Sequence, residues 1–133
     1  MTKKEDQALA RLIDAVRAAL DEGKAVDVRV LDVRNLTVIT DYMIVASGRT
    51  SRQVRALTQR VLESSRAEGA GVIGVEGERQ GDWVLIDLGG IVIHVMQPAT
   101  RDFYQLEKLW ERDRKSTRLN SSHIQKSRMP SSA

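Results

Sequence analysis

Apolar residues fall at Leu9, Leu12, Ile13, Val16 and Leu20, a three- and four-residue spacing that predicts an amphipathic helix over residues 4–21, with Asp21-Glu22-Gly23 as its stop. The period then drops to two. Val26, Val28 and Val30 alternate with Asp27 and Arg29, which predicts a half-buried strand ending near Val33. Arg34-Asn35-Leu36-Thr37 reads as a turn, and residues 41–47 (DYMIVAS) as a second strand closed by Gly48. Thr50 opens a second helix, with Gln53 placed for a capping box, Val54, Leu57 and Val61 on its inner face, and Gly69 as its end.

A glycine-punctuated stretch, GAGVIGVEGERQG, leads into the strand DWVLIDL, and Gly89-Gly90 turns it back into IVIHVM. After Pro98, residues 100–112 carry Phe103, Leu106, Leu109 and Trp110 on one helical side. The order predicts an α/β fold: a mixed sheet of four to five strands with three main helices and no internal repeat.

Alternation within the hairpin sorts its residues by face. Val84, Ile86 and Leu88 share one face with Ile91, Ile93 and Val95, a uniformly aliphatic set that should meet the helices. The opposite face gathers Trp83, Leu85, Val92, His94 and Met96 beside Asp87. That mixture is either a protein-interaction patch or a surface covered by the chain's own helices.

The length, 133 residues and 14.9 kDa, suits one domain. The absence of cysteine excludes disulfide scaffolds, thiolate metal sites and cysteine nucleophiles. No apolar run approaches the roughly 20 residues that span a bilayer. The N-terminus MTKKEDQALA has neither a secretory apolar stretch nor the acid-poor character of a transit peptide, so a cytoplasmic protein with no membrane partner is expected.

The formal charge of +3 is unevenly placed. Residues 1–113 hold 16 Lys and Arg against 18 Asp and Glu, or −2, while residues 114–133 hold five basic residues and no acid, or +5. The body therefore gives no general case for phosphate-backbone binding, and no DNA partner is expected. The serine-rich basic tail, 114–133, is expected to be a disordered segment separate from the domain at 1–113. Its string STRLNSSH resembles translated adapter or vector read-through, which would make it non-native; a spacer and an RNA-binding arm are the alternatives.

Catalytic chemistry is hard to assemble. His94 sits in a strand with no neighbour suited to a metal site or a triad, so a structural histidine is the simpler reading. Gly71, Gly74 and Gly77 precede a strand rather than opening a helix, and no GxxxxGK[ST] is present. The turn Ser47–Ser51 could hold a phosphate at a helix start. Asp27, Asp32, Asp41, Glu76, Asp82 and Asp87 form no adjacent pair of the kind that holds magnesium. Arg49, Arg52, Arg55 and Arg60 form either a solvated helix face or an RNA contact.

With these residues in view, TDYMIVASGRTSRQV, GVEGE, DWVLIDLGGIVIHVM and RDFYQLEKLW, in that order, resemble the ribosomal silencing factor, or iojap-type, family from about residue 6 to Trp110. The resemblance implies a nucleotidyltransferase-like fold without an active site, and hence no catalytic residues, metal or cofactor. It implies binding to the large ribosomal subunit through ribosomal protein fourteen, on the face that meets the small subunit. That would block joining and lower translation when nutrients are scarce.

On this reading Trp83, in the family's DW motif, and Met96 are apolar anchors, with His94 beside them. Glu76, Asp82 and Asp87 would pair with basic groups on the ribosomal protein. Asp41, Gly48, Tyr104, Glu107 and Trp110 also match family motifs; packing of the last helix is the simpler role for Tyr104 and Trp110. An open apolar sheet face also permits a homodimer. The competing reading is a small nucleotidyltransferase-like nucleotide-binding enzyme using Asp41, Asp87 and the Ser47–Ser51 turn.

Overall fold

A computed structural model describes residues 3–104. The elements are α1 (Lys3–Glu22), β1 (Val26–Asp32), β2 (Tyr42–Ser47), α2 (Ser51–Ala67), β3 (Gly74–Glu76), β4 (Trp83–Asp87), β5 (Ile91–Met96) and α3 (Pro98–Tyr104). They form a five-stranded sheet in the order β1-β2-β5-β4-β3. β2 and β5 run parallel and every other pair antiparallel, so the sheet is mixed. The expected α/β architecture is present. The rest of the helix expected over 100–112, with Leu106, Glu107, Leu109 and Trp110, lies outside the described residues, as do the tail 114–133 and the side chains of Phe103 and Tyr104.

The main core lies between the sheet and two helices. α1 contributes Leu12, Val16 and Leu20, and α2 contributes Val54, Leu57, Val61 and Leu62. They cover Ile44, Ala46, Val84, Ile86, Ile91, Ile93 and Val95, so the aliphatic face of the hairpin does meet the helices.

Local sequence fixes the element ends by satisfying backbone groups that a helix leaves open. Thr50 caps α2, its Oγ1 accepting from Gln53 N at 3.0 Å. The reciprocal bond goes one residue further back than a standard capping box, with Arg49 N donating to Gln53 Oε1 at 2.7 Å. The Gln53 amide also donates to the Gly23 and Lys24 carbonyls at 3.1 and 3.0 Å, so one side chain ties the end of α1 to the start of α2.

α2 closes in a Schellman motif, with Ala70 N on Ser65 O, Gly69 N on Arg66 O and Gly69 at φ +82. α1 ends the same way one residue later than expected: Ala25 N bonds Leu20 O, and the left-handed residue is Lys24 at φ 67. Gly23 serves packing instead, since a Cβ there would lie 2.6 Å from Leu57 Cδ2. Gly48 is likewise a packing requirement, a Cβ there lying 3.0 Å from Val54 N.

Pairing within the hairpin matches the expected faces. Trp83 lies opposite Met96, Leu85 opposite His94, and Asp87 opposite Val92. Leu88 N bonds Ile91 O across Gly89-Gly90, and only Gly89 has positive φ, at +89, the pattern of a type II′ turn.

Candidate docking face of the sheet

The face turned away from α1 and α2 is ordered by register into three transverse rows. One runs Trp83–Met96–Ser47, one Glu76–Leu85–His94–Val45–Arg29, and one Gly74–Asp87–Val92–Met43–Leu31. Its character changes across the sheet. Over β2 and the end of β1 it is sealed, because Leu31, Val33, Met43, Val45 and Met96 form a second apolar cluster against which Leu36 and Trp83 pack, while Arg29 at the middle of β1 stays exposed. Over β4 and β3 it is partly open, with Trp83, Leu85 and Asp87 half-buried and Glu76 exposed, and Val92 at the start of β5 is half-buried too.

This corrects the placement of two expected contact residues. Met96 occupies the predicted face but has no exposed surface, and His94 retains 6%. Both lie on β5, the central strand, so neighbours on both sides and the overlying second cluster exclude solvent from them. An anchor must be reachable, and Met96 is not.

The covering was hard to foresee. Leu36 belongs to the segment read only as a turn, yet its side chain folds onto the sheet. At the other end Arg101 of α3 is buried, donates from Nη1 to Ser47 Oγ at 3.0 Å, and lies 3.5 Å from Asp27 Oδ2. Asp27 reaches it from a β-bulge, with φ 52. Nothing in the local sequence marks Arg101 as interior.

Burial pushes the His94 imidazole down to about 4, because the charged ring would lose its hydration. Trp83 Nε1–H donates to His94 Nδ1 at 3.0 Å, with ring centroids 5.9 Å apart. An indole nitrogen can only donate, so Nδ1 carries a lone pair and the neutral ring holds its proton on Nε2. His94 thus orients Trp83 from beneath.

Two further contacts fix the indole's strand. Gly77, at φ +84, passes so close that a Cβ would lie 2.1 Å from the Trp83 carbonyl oxygen, which explains the second glycine of GVEGE. Gln97 N donates to Asp82 O at 3.0 Å and its amide to Asp82 Oδ1 at 3.1 Å.

Among the expected acidic contacts, Glu76 and Asp82 are exposed, while Asp87 Oδ1 accepts from Gly89 N at 2.9 Å and helps form the turn. The residues of the competing enzyme reading are split. Asp41 and Asp87 lie at the hairpin end of the sheet, where Asp41 N bonds Gly90 O. Ser47–Ser51 starts at the opposite end of β2, about 20 Å away at roughly 3.3 Å per residue. Among the described residues no group of three or more His, Asp or Glu side chains could hold a metal ion.

Comparisons with known proteins bear on the chain as a whole. The family model described as ribosomal silencing factor during starvation matches residues 5–133. A Chromobacterium violaceum protein named ribosomal silencing factor RsfS is 45% identical over 92 residues, covering 69% of this chain and 75% of its own. The crystal structure of a protein from the same organism superposes with a TM-score of 0.75 at 40% identity, covering 77% of this chain and 85% of that one. A mouse protein named for mitochondrial assembly of the ribosomal large subunit is 33% identical over 101 residues, 74% of this chain and 44% of its own.

Proposed function

Since the chain belongs to the ribosomal silencing factor family, we propose that it acts in the cytoplasm by binding the large ribosomal subunit through ribosomal protein fourteen. Seated on the joining face, it blocks the small subunit by bulk and lowers translation when nutrients are limiting. The relatives' names point to ribosomes rather than to a reaction, and a wedge needs no turnover.

The observation that carries this reading is the half-buried indole of Trp83, held at the open side of a sheet face that is otherwise sealed. Trp83, Leu85 and Val92 supply apolar contact, with Glu76, Asp82 and the outer edge of Asp87 as acidic neighbours suited to a basic ribosomal protein. Met96 and His94 support this surface from beneath. A standard interface of about 1,600 Å² would hold the complex, and a central aromatic commonly carries about 2 kcal/mol or more, near 30-fold in affinity.

The test is co-sedimentation with purified large subunits. Trp83→Ala should fold, as judged by its melting transition, and lose binding by about 30-fold or more; Trp83→Phe should retain most of it. A folded Trp83→Ala protein that still binds fully removes the anchor assignment. Wild-type protein that dimerises and ignores large subunits would mean that a second copy, not the ribosome, occupies the face.

A further inference from the structure

At the end of the sheet that carries Trp83 lies a cluster of cations with no use in the reading above. Arg49 and Arg52 are exposed and Arg55 half-buried at the start of α2, while exposed Arg79 comes from the loop joining β3 to β4. Arg55 Nη1 donates to the Arg79 carbonyl at 3.4 Å, bringing the two segments together. Gly81, at φ +73, lets the loop lie against the helix, for a Cβ there would stand 2.8 Å from Ser51 Cβ and 3.0 Å from Arg55 Nη1.

The charge of this cluster is uncompensated. Arg29, Arg34, Arg60 and Arg101 each have a carboxylate within 4.0 Å. Among the described residues none of Arg49, Arg52, Arg55 or Arg79 has one. The nearest acids in sequence, Glu78 and Asp82, hydrogen-bond the neutral amides of Gln59 and Gln97 rather than these guanidinium groups, and keep their charge. All four cations are arginine, whose planar fork matches phosphate oxygens in pairs.

We infer that Arg49, Arg52, Arg55 and Arg79 form a second docking surface, which takes the phosphate backbone of folded RNA next to the protein engaged by Trp83. The inference rests on the ribosome reading above and adds a partner to it. Gly81 precedes Trp83 by two residues, so the basic cluster lies at the indole's end of the sheet but on the side of α2, while Glu76 and Asp87 lie further along the opposite face. Patches of opposite sign on the two sides of one sheet end suit a target in which a basic protein is set into RNA, and they fix orientation as well as adding attraction.

The experiment measures affinity for purified large subunits as salt is raised from about 50 to about 200 mM. The full chain carrying Arg49→Gln, Arg52→Gln and Arg79→Gln should give a slope of log K against log salt shallower by about 3, one for each lost phosphate contact. Its low-salt affinity should fall by about 10-fold or more. The corresponding Arg→Lys variant, with charge kept, should retain most of the slope. Binding to isolated ribosomal protein fourteen should be unchanged.

An unaltered slope in the Gln variant, with wild-type protein bound to large subunits, overturns this inference alone. An equal loss on the isolated protein assigns the cluster to a protein contact and overturns it too. If wild-type protein fails to bind large subunits, the ribosome reading fails and this one with it.

Discussion

Protonating His94 would put a charge into a site with 6% exposure and remove the lone pair that accepts from Trp83. Its folded-state pKa of about 4 lies below the ordinary 6.5, so the unfolded chain takes up the proton first. The stabilisation from the neutral ring is thus complete above about pH 6.5 and is lost as pH falls toward about 4. A shift of that size corresponds to roughly 3 kcal/mol. Urea unfolding at a series of pH values should show this loss in the wild type, and His94→Phe should lack that part of the slope. A wild-type profile that is flat from 6.5 to 4 would contradict the burial. At this scale the sequence was legible in part. Period-two alternation set Trp83, His94 and Met96 on one face, but their different exposures depend on Leu36 and the overlying residues Leu31, Val33, Met43 and Val45, which lie far off along the chain.

Between residue and fold stand the element ends, and the end of α1 departs most clearly from its local signals. A glycine after a helix usually supplies the left-handed residue, which would have been Gly23. Contact with Leu57 claims Gly23 for close packing, so Lys24 takes the strained conformation instead. Lys24→Gly should therefore stabilise the protein by about 1 kcal/mol by removing the Cβ penalty, whereas Gly23→Ala should destabilise it by about 1–3 kcal/mol through overpacking. Chemical denaturation of the two variants checks both signs; the reverse order would mean that Gly23 provides the turn. The capping pair of α2 was legible, since Thr50 and Gln53 lie within one turn. The Gln53 bonds to Gly23 and Lys24 were not, because they span 30 and 29 residues.

For the molecule as a whole, the central question is how much of the chain carries the function. The family match extends through residue 133, while the rows of the candidate face lie within residues 29–96. We propose that the body, 1–113, is sufficient. A chain ending at Asp113 should co-sediment with large subunits as the full chain does, with the same salt slope. Loss of binding on truncation would assign the contact to the basic tail.

Side-chain periodicity and terminal signals by themselves determined the two long helices and the four longer strands, the aliphatic face that meets the helices, and the hairpin that carries the indole. These depend on neighbours two to four residues apart, a range in which backbone geometry alone sets which side chains align. Only the tertiary structure decided the strand order, the parallel pairing of β2 with β5, the sealing of Met96 and His94, and the meeting of Arg79 with the α2 arginines. Each of those arises where segments distant in the chain compete for one surface, and pattern within a segment carries no term for that competition.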